Sequence, residues 1–224
     1  MKVIQGKEGE IFDIELSEDL LNKNKELAEE NKKILEKHSI LAIDVMGSIG
    51  SGKTTLIKGL VNLLKDKYQV AVFAGDLTTT IDADRIKEEG AQVIQVNTGM
   101  ECHLDANLVQ KALKEIDLEA TDILIIENVG NLICPADFPL GSHKRIVLIS
   151  LTEGPFTVVK HPFIFINADI GIINKIDLKD AMGVDPEPLK QAMFKIKPNI
   201  KVVGTNSRTG EGIKEIINCL GLST

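Results

Sequence analysis

Apolar residues recur along this chain in two rhythms that alternate from residue 40 onward. Near-continuous runs rich in Ile, Val, Leu and Ala occupy 40–46, 69–74, 92–96, 122–127, 145–151, 169–174 and 200–204. Between most of them the spacing becomes helical, at 53–66, 81–89, 104–117, 186–196 and 211–219. Runs this apolar, separated by helices, predict an α/β fold: a mostly parallel sheet of roughly seven strands with helices on both faces, three layers in all. The stretch 153–162 holds Gly154, Pro155 and Pro162 and reads as a loop with a short helix. Upstream, residues 1–16 read as an irregular or β-like lead-in. Ser17 then caps a helix over 18–37 whose first turn Glu18 and Asp19 favour. Leu20, Leu21, Leu27, Ile34 and Leu35 give that helix one thin apolar face. The expected organisation is a lead-in and helix over 1–39 packed on a single domain over 40–224. No internal repeat or linker divides the chain further.

Between the first strand and the first helix of the alternating region stands Gly47-Ser48-Ile49-Gly50-Ser51-Gly52-Lys53-Thr54. It fits G-x-x-x-x-G-K-[ST] at every fixed position, and strand, glycine loop, helix is the context in which that pattern cradles phosphate. The loop N–H groups converge on an anion at the positive end of the helix. Lys53 would reach the β- and γ-phosphates, and the Thr54 hydroxyl would bind Mg²⁺. Residues 47–54, with Thr55, are therefore candidate nucleotide-binding residues of a P-loop NTPase. A glycine-rich turn with a surface lysine is the plain alternative, and it leaves the order of elements to chance.

Asn174-Lys175-Ile176-Asp177 follows the run Ile170-Gly171-Ile172-Ile173 and suits a guanine pocket. The Asp177 carboxylate would accept from guanine N1–H and its 2-amino group, donors that adenine lacks. Asn174 would bond the other edge of the base, and the Lys175 stem would cover its face. Thr205-Asn206-Ser207-Arg208 follows the last strand and loosely fits a base-flanking loop, so Asn206, Ser207 and Arg208 join the candidates.

Two acids end apolar strands. Asp76 closes Val70-Ala71-Val72-Phe73-Ala74, expected one strand over from the glycine loop, and Glu127 closes Ile123-Leu124-Ile125-Ile126. With Thr54 they form the expected Mg²⁺ set, direct or through water. Lys53 and Asp76 are the catalytic candidates, Asp76 touching the metal or orienting the attacking water; a cap or turn is its alternative role. Gly130 leaves the loop after Glu127 free to sense a γ-phosphate. Asp44, inside the first strand, reads as a hydrogen-bonded structural acid. No arginine finger can be identified, so slow turnover is expected.

Charge and cysteine content narrow the setting. A net charge of −7 argues against nucleic acid or anionic membrane as partner. No apolar stretch reaches the length of a membrane span, and a cytoplasmic location is expected. Three cysteines make no disulfide framework. Cys102 and His103 are adjacent before the helix at 104, and Cys134 follows Glu127 in Gly130-Asn131-Leu132-Ile133-Cys134-Pro135-Ala136. Two thiolates and an imidazole suit Zn²⁺ or Ni²⁺. Two buried free thiols beside a surface histidine fit the same spacing, which leaves both readings open. Cys219 sits among Ile216, Ile217 and Leu220 as a packing residue.

Taken together, the glycine loop, Gly75-Asp76, Thr98-Gly99-Met100-Glu101-Cys102-His103-Leu104, the run from Glu127 to Ala136 and Asn174-Lys175-Ile176-Asp177 resemble the HypB family over roughly residues 38–220. That family comprises GTPases of [NiFe]-hydrogenase maturation, related to the urease accessory GTPase. The resemblance implies a GTP-dependent homodimer with Cys102, His103 and Cys134 holding nickel or zinc at its interface. It also implies other hydrogenase maturation proteins and the hydrogenase large subunit as partners. The chain departs from some members in lacking an N-terminal Cys-x-x-Cys-Gly-Cys motif or histidine-rich tract, since residues 1–39 hold no Cys and only His38. Two rivals remain in view. A small-molecule kinase would need an arginine-rich lid, and Arg occurs only at 85, 145 and 208. A zinc-stabilised scaffold would bind nucleotide without turnover.

Overall fold

The computed structural model describes residues 14–76, 81–99 and 101–224, with the side chains of 14–17 and 81–82 left aside. In chain order the elements are α1 (Ile14–Lys37), β1 (Leu41–Gly47), α2 (Lys53–Leu64), β2 (Val70–Asp76), α3 (Ile81–Lys87), β3 (Gln92–Asn97), α4 (Ala106–Leu113) and β4 (Ile123–Glu127). There follow β5 (Lys144–Ser150), α5 (Thr157–Lys160), α6 (Phe163–Ile166), β6 (Ile170–Asn174), α7 (Lys179–Met182), α8 (Pro186–Ile196), β7 (Lys201–Thr205) and α9 (Ile213–Cys219).

Among the described residues the strands form one seven-stranded sheet in the order β3-β2-β4-β1-β5-β6-β7. Every pairing is parallel. The two faces of β1 show how the layers close. Ile43 and Val45 pack with Leu56, Ile57, Leu60 and Val61 of α2, Ile86 of α3 and Ile213, Ile216 and Ile217 of α9. On the other face, Ala42 joins a cluster with Leu35 of α1 and Val109 and Leu113 of α4. Met46 joins a second cluster there with Val158, Ile164, Phe165, Leu189 and Met193, from α5, α6 and α8. This is the predicted three-layer fold. Because β1 has β4 on one side and β5 on the other, the chain reverses its winding there, and the crevice past the end of β1 is where such sheets bind ligands.

The structure corrects four local expectations. Helix α1 begins at Ile14, so Ser17 lies inside it rather than at its start, and 14–16 are helical; the rest of the lead-in, 1–13, lies outside the described residues. The buried stripe of α1 is Asn24, Ala28, Asn31 and Leu35, while Leu20 is 59 % exposed. The two asparagines are bonded rather than solvated. Asn24 accepts from the Ala106 N–H at 2.7 Å and donates to the Pro139 carbonyl at 2.9 Å, and Asn31 donates to the Ala106 and Leu140 carbonyls at 2.8 and 3.2 Å. Helix α4 starts at Ala106, because the Asp105 side chain caps it by accepting from the Leu108 N–H at 2.7 Å. Finally, β4 lies between β1 and β2, so Asp76 is two strands from the glycine loop and Glu127 is its neighbour.

Candidate functional site

The loop from Gly47 to Thr54 leaves β1 and enters α2 with Gly50 and Gly52 at φ 74° and 106°, left-handed conformations that favour glycine. At Gly52 a Cβ would also collide with the Asn174 side-chain amide. Each wall of the crevice holds the loop. On the β5 side, Ser48 Oγ donates to Glu153 Oε1 at 2.6 Å, and the same oxygen accepts the Ser150 N–H at 2.9 Å. From β6, Asn174 Nδ2 donates to the Ser51 carbonyl at 2.8 Å, and Lys175 Nζ donates to the Gly50 carbonyl at 2.7 Å. The Lys53 ammonium closes across the loop itself, donating to the Gly47 and Ser48 carbonyls at 3.1 and 3.0 Å.

Thr54 Oγ1 donates to Glu127 Oε1 at 2.7 Å, and both side chains are buried. A hydroxyl and a carboxylate side by side at the foot of a phosphate loop are hard oxygen donors of the kind Mg²⁺ takes, so the residues present fit that ion. The register explains the meeting: Glu127 lies level with Val45 of β1 and Ala74 of β2. Asp76 therefore projects two residues farther along its strand, half-buried, and its carbonyl accepts the Thr98 N–H at 2.9 Å.

Beyond the loop opens a cleft of about 480 Å³ lined by Gly52, Thr55, Asn174, Lys175, Asp177, Asn206, Ser207 and Arg208, which gathers both predicted base-recognition segments. Asn174 does not face a ligand with a free edge. Its Oδ1 accepts from Thr205 Oγ1, the Ser207 N–H and Ser207 Oγ at 3.0, 3.0 and 2.9 Å, so it ties β6 to the loop after β7. Asp177 is exposed in the cleft. Two residues that the sequence reading missed belong here. Arg85 of α3 lines the same cleft; nothing in its local sequence announces this. Glu153 pins Ser48 and completes a capping box with Ser150, whose S-x-x-E spacing was visible in the chain. A larger cavity, about 660 Å³, lies between α1 and the starts of β5 and β6, and no candidate residue lines it.

The donor atoms of Cys102, His103 and Cys134 all lie within 4.8 Å of one another. The loop after β4 supplies Cys134 at the start of a 3-10 turn, and the segment before α4 supplies the other two. Cys102 Sγ sits 3.9 Å from His103 Nδ1. A hydrogen bond with the free Cys134 thiol, together with partial desolvation, pushes the Cys102 thiol up from its ordinary value. Burial lowers His103, which keeps the imidazole in the neutral form that ligates; its ring packs on Phe138 with centroids 3.7 Å apart. Two asparagines frame the cluster. Asn128 Oδ1 accepts from the Leu104 N–H at 3.1 Å, and Asn131 Nδ2 donates to the Cys102 carbonyl across a long 3.4 Å. Cys219 stays in α9, packed against the core.

Residues 41–204 match the family model described as CobW/HypB/UreG, nucleotide-binding domain. The chain is 51 % identical over 204 residues to the probable hydrogenase maturation factor HypB of Methanocaldococcus jannaschii, an alignment covering 91 % of this chain and 92 % of that one. Among solved structures it is similar to HypB from Archaeoglobus fulgidus, at 40 % identity and TM-score 0.83, covering 89 % of this chain and 98 % of the other. It is likewise similar to HypB from Helicobacter pylori in complex with nickel, at 37 % identity and TM-score 0.84, covering 88 % and 93 %. The chain carries a P-loop nucleotide-binding domain and belongs to the HypB family.

Proposed function

We infer that this chain is a GTPase that works as a maturation factor, handling nickel for insertion into a [NiFe]-hydrogenase. The observation that carries the reading is the run from Glu127 to Cys134. One end bonds Thr54 of the phosphate loop, and the other brings a thiol to Cys102 and His103. The names and nickel complex of the relatives support the cargo, and the soft donor set suits Ni²⁺ and Zn²⁺ alike. The partners that follow are other hydrogenase maturation proteins and the hydrogenase large subunit, met in the cytoplasm by a GTP-dependent homodimer.

In this mechanism the loop N–H groups and Lys53 bind the phosphates, and Lys53 stabilises charge on the transferring phosphoryl group. Thr54 and Glu127 would hold Mg²⁺, which when bound offsets charge on the β- and γ-phosphates. Asp76 orients the attacking water and Asp177 selects guanine. Release of the γ-phosphate frees the loops after Asp76 and Glu127 to relax, which changes the hold on the metal cluster. Phosphate release and sedimentation test the reading on one pair of proteins. Wild type should hydrolyse GTP slowly and only with Mg²⁺, and should dimerise with a non-hydrolysable GTP analogue but not with GDP. Lys53→Ala should lose roughly 100-fold or more in kcat and stay monomeric. Wild-type turnover in Lys53→Ala would remove the phosphate loop from the mechanism.

A further inference from the structure

We propose that Asn131 is the positioning residue through which the phosphate loop sets the geometry of the metal cluster. The inference rests on the nucleotide and metal reading above and names the contact that links its two halves. Asn131 touches three segments at once. Its backbone N–H donates to the Gly47 carbonyl at 3.0 Å, the first carbonyl of the phosphate loop. Its Nδ2 donates to the Cys102 carbonyl at 3.4 Å. Its Oδ1 accepts from the N–H of Ile133, the residue before Cys134, at 2.8 Å.

The Gly47 oxygen has a second donor, Lys53 Nζ, at 3.1 Å. When that ammonium turns to a phosphate, the Gly47 oxygen passes from two donors toward the Asn131 N–H. Gly130 keeps the response from dissipating, because a Cβ there would sit 3.0 Å from both the backbone nitrogen and the Cα of Ile49, so the two loops touch backbone to backbone. A shift of Asn131 then moves the Cys102 carbonyl and the turn that carries Cys134. His103 does not follow. Its neighbour Leu104 is held by Asn128, whose Nδ2 donates at 3.3 Å to Asp44, a residue fully buried within β1. The two thiols therefore move against a fixed imidazole, a two-part arrangement in which nucleotide state alters metal affinity and, by linkage, metal alters nucleotide affinity.

The test is Zn²⁺ affinity, read by chelator competition on the full chain with GDP and with a non-hydrolysable GTP analogue. In wild type the two affinities should differ by about 5- to 100-fold. Asn131→Ala keeps the backbone bond to Gly47 and loses both side-chain bonds. Asn131→Asp keeps the acceptor for Ile133 and puts an oxygen against the Cys102 carbonyl. In each variant the ratio between the two nucleotide states should fall to within about 2-fold of unity, while GDP affinity without metal stays within a few-fold of wild type. If Asn131→Ala unfolds, Asn131→Asp decides, since it preserves the turn. A wild-type ratio in either folded variant overturns the proposal, as does a wild type that binds both ligands with no linkage between them. A wild type that binds no guanine nucleotide fails at the broader reading instead.

Discussion

Asn174 is 2 % exposed, and its side chain bonds inward to Ser51, Thr205 and Ser207. It was expected to read the base; in the structure it braces the phosphate loop against the loop after β7. On the function proposed above, discrimination between bases would fall on Asp177, the exposed carboxylate in the cleft. Asp177→Asn replaces an acceptor pair with one acceptor and one donor, so guanine loses a charge-assisted pair of bonds. GTP affinity should drop by roughly 10- to 100-fold while xanthosine triphosphate improves. Competition binding that returns the wild-type preference would remove Asp177 from the base pocket. At this scale the sequence was legible where type and spacing place a residue, since Lys53 and Thr54 stand at the glycine loop and Asp177 in the cleft as the motifs predict. It was silent where a side chain's partner is another loop: neither the bond from Asn131 to Cys102 nor the approach of Arg85 to the cleft has a local signature.

At the scale of elements, the glycine loop separates two costs that a sequence motif merges. Gly50 and Gly52 both have positive φ, so alanine at either costs about 1–2 kcal/mol in backbone strain. Only at Gly52 does the new Cβ also strike Asn174. Gly52→Ala should therefore be less stable than Gly50→Ala by at least about 1 kcal/mol in urea unfolding, and should lose more GTP affinity. Equal midpoints for the two variants would mean the contact with Asn174 does not constrain the loop. Among the described residues, the seven strands and the six helices α1, α2, α3, α4, α8 and α9 could be read because each is long enough for its period to show. The four-residue helix α5 falls in the stretch 153–162 read as a loop with a short helix, while α6 and α7 span one turn apiece, too short for a 3.6-residue rhythm to emerge. Strand order was hidden for a different reason: β4 sits between β1 and β2, a pairing between segments far apart in the chain that a strand's own composition does not encode. The face of α1 was misjudged because its centre is two asparagines, residues whose type signals solvent and whose partners lie far along the chain.

At the scale of the whole molecule, one buried acid gives folding a pH signature. Burial raises Asp44 to about 6, against the lowering effects of Arg145 and the Asn128 bond. Its native pKa thus exceeds its unfolded value of 3.8, and the native state binds the extra proton between those values. Its stabilising effect is present below pH 4 and is lost as pH rises through 6, a change of about 3 kcal/mol at most. Relative to Asp44→Asn, the wild type should gain stability as pH falls from 7.5 to 4.5. Chemical denaturation of both proteins across that range checks it, and a flat or reversed difference would refute the assignment. The long reach of the bonds on α1 has a consequence for how the molecule is made. Asn24 and Asn31 find their partners at Ala106, Pro139 and Leu140, between 75 and 115 residues downstream. At about 5–20 residues per second of synthesis, the helix waits on the order of 5–20 s for a surface to dock on. Leu35, fully covered in the finished protein, shares its cluster with Ile40 and Ala42, made soon after it, and with Val109 and Leu113, made much later. Helix α1 can complete these bonds only after the chain through Leu140 has been made.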